Sequence, residues 1–179
     1  MLDLENTALV IIDVQDKLAR VMSDRNELFL NLKKLVRGMQ ALGVPIIVTE
    51  QYPQGLGRTV PELAQLLSDV QPIAKLSFSC CGEERFLREI KVLDHRQVLV
   101  AGIEAHVCVY QTVVDLLGAG YEVQVVGDAV SSRTVENREI GLEKMRSAGA
   151  GITSTEMALF ELLKVAQGET FKEISRIVR

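Results

Sequence analysis

Tryptophan is absent from this 179-residue chain, and 3 tyrosines and 5 phenylalanines supply all its aromatic surface. Aromatics at 4% leave little with which to stack nucleobases. Basic charge is scarce too: 20 Lys and Arg stand against 24 Asp and Glu, a net charge of −4. No stretch is basic enough to make an electrostatic footprint for nucleic acid. Three cysteines are too few, and odd in number, for a disulfide scaffold. Cys80 and Cys81 are adjacent, which suits neither a structural bridge nor a C-x-x-C redox site. With 2 histidines, a structural zinc site cannot be assembled by spacing from Cys80, Cys81, Cys108, His95 and His106, so neither metal nor cofactor is expected. No apolar run approaches the roughly 18 residues of a spanning helix. The acidic start, Met1 to Glu5, lacks the basic region of a signal peptide. Unpaired thiols favour a reducing compartment, so the expectation is a cytoplasmic protein with neither membrane nor nucleic-acid partners.

What is present is globular. Apolar residues are 47% and charged residues 25%, and the length suits a single domain over 1–179. Four short, nearly continuous apolar runs stand out: Ala8–Asp13, Val44–Thr49, Gln97–Gly102 and Glu122–Gly127. Such runs suit parallel strands covered by helices on both faces. Gln71–Ala74 and Ala150–Thr153 are weaker strand candidates. Between them lie helical stripes. Ser23 is placed to cap a helix carrying Leu28, Leu32, Leu35, Val36 and Met39 and ending at Gly43. Thr59-Val60-Pro61-Glu62 has capping-box spacing. Further helices are expected over Glu83–Leu93, His106–Ala119 and Thr134–Ala148, and after Ser154 and Thr170. The alternation predicts an α/β fold, a parallel sheet sandwiched between helical layers. Gln51–Arg58, with Pro53, Gly55 and Gly57, is the longest irregular stretch and a natural pocket rim or lid.

Ligands of open parallel sheets bind outside the carboxyl ends of the strands. Asp13, Lys75 and Cys108 fall just after strand candidates. A thiol is a weak nucleophile at its ordinary pKa of about 8.5. Placing Cys108 in the first turn of a helix, near Lys75, would lower that value. Asp13 could then serve as general base, and amides at the helix start could bind an oxyanion. Each residue also has a plainer reading: Asp13 as a turn cap, Lys75 as a surface lysine, Cys108 as a small core residue.

Three ordered segments carry a resemblance: Leu9–Gln15, Lys75–Ser79 and Gly102–Thr112, followed by Asp128–Arg133. Together they resemble the isochorismatase-like cysteine hydrolases, a superfamily that includes nicotinamidases and N-carbamoylsarcosine amidases. The chain is most similar to the metal-independent branch of isochorismatase domain-containing proteins. The resemblance implies a three-layer α/β/α sandwich with a six-stranded parallel sheet of Rossmann-like topology. It implies Asp13, Lys75 and Cys108 as a catalytic triad, a cis peptide between Ile103 and Glu104, and an oxyanion hole from the amides of Glu104 and Cys108. It also implies a homo-oligomer, a dimer or higher. Nicotinamidases bind a metal through an Asp-x-His motif; here Thr49-Glu50-Gln51-Tyr52-Pro53 stands in that place without histidine.

Leu18, Tyr52, Phe78 and His106 are candidates to line a small pocket, and each could equally be structural. The Glu104 side chain either makes a polar contact specific to this branch or does nothing catalytic. Arg133 either binds a substrate carboxylate or pairs with an acidic neighbour. Cys80 and Cys81 suit packing or oligomer contact. The functional expectation is a cysteine hydrolase that cleaves a small amide or ureide C–N bond through a thioester. The alternatives are an isochorismatase-type hydrolase of another bond class, or a non-catalytic binding or regulatory protein that keeps the fold.

Overall fold

The computed structural model describes residues 1–179. Six parallel strands, β1 (Thr7–Ile12), β2 (Ile46–Gln51), β3 (Ile73–Lys75), β4 (Gln97–Ile103), β5 (Glu122–Ser131) and β6 (Gly151–Thr153), form one sheet in the order β3-β2-β1-β4-β5-β6. The helices are α1 (Asp16–Ala19), α2 (Arg25–Leu42), α3 (Pro53–Leu56), α4 (Pro61–Ala64), α5 (Glu84–Val92), α6 (Tyr110–Gly118), α7 (Val135–Ser147), α8 (Thr155–Leu163) and α9 (Gly168–Val178). The three-layer α/β/α sandwich is as expected. None of the helices is long and apolar enough to cross a membrane.

The continuous apolar runs follow from two-sided burial. Side chains alternate between the faces of a strand. Leu9 and Ile11 of β1 therefore join one core with Leu28, Leu32, Leu35 and Met39 of α2 and Leu159 of α8. Val10 and Ile12 join a second core with Phe86 of α5, Val113 and Leu116 of α6, and Met145 of α7. Strand order reverses between β1 and β4, which opens a crevice at their carboxyl ends.

Two capping expectations fail, and in each the side chain is turned to a buried acceptor instead of to the helix end. The N-cap of α2 is Asp24, without a side-chain cap. Ser23 instead spends its amide and hydroxyl on the Ser132 carbonyl, at 3.0 and 3.1 Å. Thr59 gives its amide and hydroxyl to Glu50 Oε1, at 2.7 and 2.8 Å, and α4 starts at Pro61 uncapped. The expected irregular stretch after β2 contains α3, and Gln15 pins it. Gln15 Nε2 donates to the carbonyls of Gln51 (2.9 Å) and Gly57 (2.6 Å), and Gln15 Oε1 accepts from the Gln51 amide at 2.7 Å. This rim is fixed rather than a loose lid.

Gly102 sets how closely β4 approaches β1. Its φ is +117°, and a Cβ there would lie 2.1 Å from the Ile12 carbonyl oxygen. Both the backbone overlap and the left-handed conformation penalise a side chain. Gly102→Ala is expected to cost about 3 kcal/mol or more, read as a melting temperature roughly 6–12 °C lower.

Candidate active site

Asp13 leaves β1 with φ +53° and is fully buried. Its amide donates to the Thr49 carbonyl at 3.1 Å, and the Thr49 hydroxyl donates to Asp13 Oδ1 at 2.8 Å. Lys75, the last residue of β3, donates from Nζ to Asp13 Oδ2 at 2.7 Å. Neither side chain of this pair is exposed. The Lys75 ammonium also reaches Gln51 Oε1 (2.7 Å), the Phe78 carbonyl (3.0 Å) and the Ser77 carbonyl (3.2 Å). The plainer readings of a capping Asp13 and a surface Lys75 therefore do not hold.

Cys108 does not sit in the first turn of an α-helix, as expected, but in a π turn over Ala105–Val109 that precedes α6. The Val109 amide reaches back to the Glu104 carbonyl at 3.2 Å, and the Tyr110 amide to that of Ala105. Helix α7 presses on this turn at Gly141, where a Cβ would lie 2.9 Å from the Ala105 backbone.

The expectation of a lowered thiol pKa is also corrected. The Cys108 thiol is pushed well above its ordinary value, first by burial and then by the adjacent Asp13 charge, with Lys75 pulling the other way. Loss of water around the thiolate outweighs the lysine. Burial therefore disfavours the thiolate of Cys108, which lies beside the Asp13–Lys75 pair.

Cys80 lies inside the same cluster. Its sulfur is 3.7 Å from the Thr49 hydroxyl. Its amide donates to the Thr112 hydroxyl at 2.9 Å, which donates in turn to the Cys108 carbonyl at 2.7 Å. Burial, then the Asp13 charge, push the Cys80 thiol up to about 12. Cys81 points elsewhere and is raised to about 11, chiefly by burial.

The Ile103–Glu104 peptide is cis. The Glu104 amide finds no acceptor within the protein. The Glu104 carboxylate makes a polar contact: Oε2 accepts from the Arg133 amide and from Arg133 Nε, both at 3.1 Å. The four pocket candidates stand in different surroundings. Leu18 is half-buried against the α2-side core. His106 Nδ1 lies 3.0 Å from Ser132 Oγ. Phe78 is exposed, and its carbonyl serves Lys75. Tyr52 lines a cleft of 440 Å³ with Pro53, Lys75, Leu76 and Ser77, outside the edge strand. Sequence reasoning missed Thr49, Gln51 and Cys80. The signal for Thr49 and Gln51 is register: Gln51 pairs with Lys75 across β2 and β3, and Thr49 with Ile12 across β2 and β1, while Cys80 comes from a turn over Cys80–Gly82. No three or more His, Cys, Asp or Glu side chains are grouped to hold a metal ion.

A model of the isochorismatase domain matches residues 7–157. The chain belongs to the isochorismatase family. Isochorismatase family protein 1B of Dictyostelium discoideum is 39% identical, over 98% of this chain and 87% of its own length. A solved structure described as MAR1 ribonuclease from Caenorhabditis elegans is 37% identical, with TM-score 0.93 over 99% of this chain and 91% of that one. YcaC from Pseudomonas aeruginosa, solved with hexane-2,5-diol and covalent acrylamide, is 26% identical, with TM-score 0.91 over 97% of this chain and 89% of that one. The architecture of this family member is that of isochorismatase-like hydrolases.

Proposed function

We propose that the protein is a metal-independent cysteine hydrolase that opens a small amide or ureide C–N bond. The carrying observation is the buried Asp13–Lys75 pair, 2.7 Å apart, with the Cys108 thiol beside its carboxylate. Cys108 rather than Cys80 is the nucleophile in this reading: it keeps 6% exposure, whereas Cys80 is sealed at 0%. The covalent acrylamide on the Pseudomonas relative supports a site that takes small amide-bearing electrophiles.

The Cys108 S–H proton passes to Asp13 as sulfur attacks the carbonyl carbon. The amides of Glu104 and Cys108 hold the oxyanion. The C–N bond breaks, the leaving nitrogen takes the proton from Asp13, and a thioester remains. Asp13 then takes a proton from water, hydroxide adds to the thioester, and the expelled sulfur recovers the proton from Asp13. Lys75 holds Asp13 Oδ2 in place through the cycle. The substrate is a small molecule; the family-implied homo-oligomer and a cytoplasmic setting belong to the same proposal.

A second reading, phosphodiester cleavage, draws on the relative described as a ribonuclease. The net charge of −4 and the single buried acid–base pair favour the amide reading. The test assays wild type and Cys108→Ala on p-nitrophenyl acetate, a panel of small amides and ureides, and a single-stranded RNA. The expected result is a nitrophenolate burst and amide turnover, both abolished in Cys108→Ala. Turnover that survives in Cys108→Ala, or RNA cleavage alone, overturns the proposal.

A further inference from the structure

One oxygen of Asp13 and the ammonium of Lys75 are each held by a side chain from the same strand, and neither holder is among the proposed reacting groups. Residues two apart on a strand share a face. Thr49 and Gln51 are two apart on β2, between β1, which delivers Asp13, and β3, which ends in Lys75. Thr49 Oγ1 donates to Asp13 Oδ1 at 2.8 Å, and Gln51 Oε1 accepts from Lys75 Nζ at 2.7 Å. Gln51 Nε2 is anchored on the Leu76 carbonyl at 2.8 Å, and the Gln51 amide on Gln15 Oε1 at 2.7 Å, so its oxygen cannot swing away. Glu50, between them, points to the opposite face and holds Thr59.

We infer that Thr49 and Gln51 are positioning residues of the catalytic pair: Thr49 sets the plane of the Asp13 carboxylate, and Gln51 holds the Lys75 ammonium on Oδ2. The inference rests on the hydrolase reading and deepens it. With Thr49 on Oδ1 and Lys75 on Oδ2, the carboxylate cannot rotate, and one direction remains for the Cys108 proton. A hydroxyl can donate to a carboxylate and accept from a carboxylic acid. Thr49 can therefore stay bonded to Asp13 in both of its protonation states, which a valine cannot do. Gln51 supplies a neutral acceptor, so the ammonium is fixed without a second negative charge beside the thiol. The titratable groups around the carboxylate are Lys75, Cys80 and Cys108.

The experiment follows the p-nitrophenyl acetate burst, which reports acylation, and the steady state, which reports deacylation. Wild type, Thr49→Val, Thr49→Ser, Gln51→Leu and Gln51→Glu are compared across pH, each with a melting curve. Thr49→Val is expected to slow both phases about tenfold, and Thr49→Ser to remain within about twofold of wild type. Gln51→Leu is expected to slow both about fivefold. Gln51→Glu keeps an acceptor but adds a charge, so its acylation profile moves to higher pH, which a purely structural role would not produce. If Thr49→Val fails to fold, Thr49→Ser and Gln51→Glu decide. A Cys108-dependent burst unaltered by Thr49→Val and Gln51→Leu, or an unmoved profile in Gln51→Glu, overturns the inference. A burst that persists in Cys108→Ala sinks the hydrolase reading instead.

Discussion

Asp13→Asn is expected to abolish acyl transfer while making the Cys108 thiol easier to ionise. The two effects run in opposite directions because Asp13 has two influences. As general base it takes the thiol proton during attack, and losing such a group costs about 10²–10⁴ in rate. As a charge it holds the thiol pKa up, second only to burial, against the opposing pull of Lys75. The amide of Asn cannot accept the proton, and it carries no charge, so the Lys75 pull is left unopposed by a carboxylate. The sign follows: thiolate absorbance near 240 nm should appear at lower pH in Asp13→Asn than in wild type. At the same time, the nitrophenolate burst should fall about a thousandfold. Slow turnover with more thiolate would separate base catalysis from mere supply of nucleophile. A burst that rises together with the thiolate would show that Asp13 is not the base.

Lys75→Met should be among the most destabilising single changes. It leaves the Asp13 carboxylate buried, with 0% exposure and no cation, facing only the Thr49 hydroxyl and the Cys108 thiol. Breaking a buried pair from one side costs about 3–5 kcal/mol. For a chain of this size that is roughly 6–20 °C in melting temperature. Removing both charges together is a different matter, because a buried ion pair can be replaced by neutral groups at little cost. Asp13→Asn combined with Lys75→Met should therefore recover most of the stability lost in Lys75→Met alone, and none of the activity. Urea melts of the two single variants and the double variant measure this coupling. Additive losses would mean that the 2.7 Å contact contributes nothing beyond its separate parts.

Much of this architecture is legible in the chain because burial leaves periodic marks. The β1 run is apolar throughout because both of its faces are covered, and α2 shows its stripe because only one face is. Strand ends are readable to within a few residues, and that was enough to nominate Asp13, Lys75 and Cys108. Caps were less legible. Ser23 and Thr59 have the right chemistry for helix starts, yet Ser132 and Glu50 claim their donors from more than 100 and from 9 residues away.

The sequence by itself determined the layer order, the scarcity of metal-ligand residues, and which acid, base and thiol stand at strand ends. Only the tertiary structure decided their state. Packing placed Cys108 in a π turn rather than a first helical turn, and removed water from its thiol, so the pKa rose where local dipole arguments lower it. Sheet register, not spacing along the chain, put Thr49 and Gln51 against the Asp13–Lys75 pair, and the turn over Cys80–Gly82 brought Cys80 into the cluster. Desolvation and register are sums over neighbours distant in sequence, so no local pattern carries them.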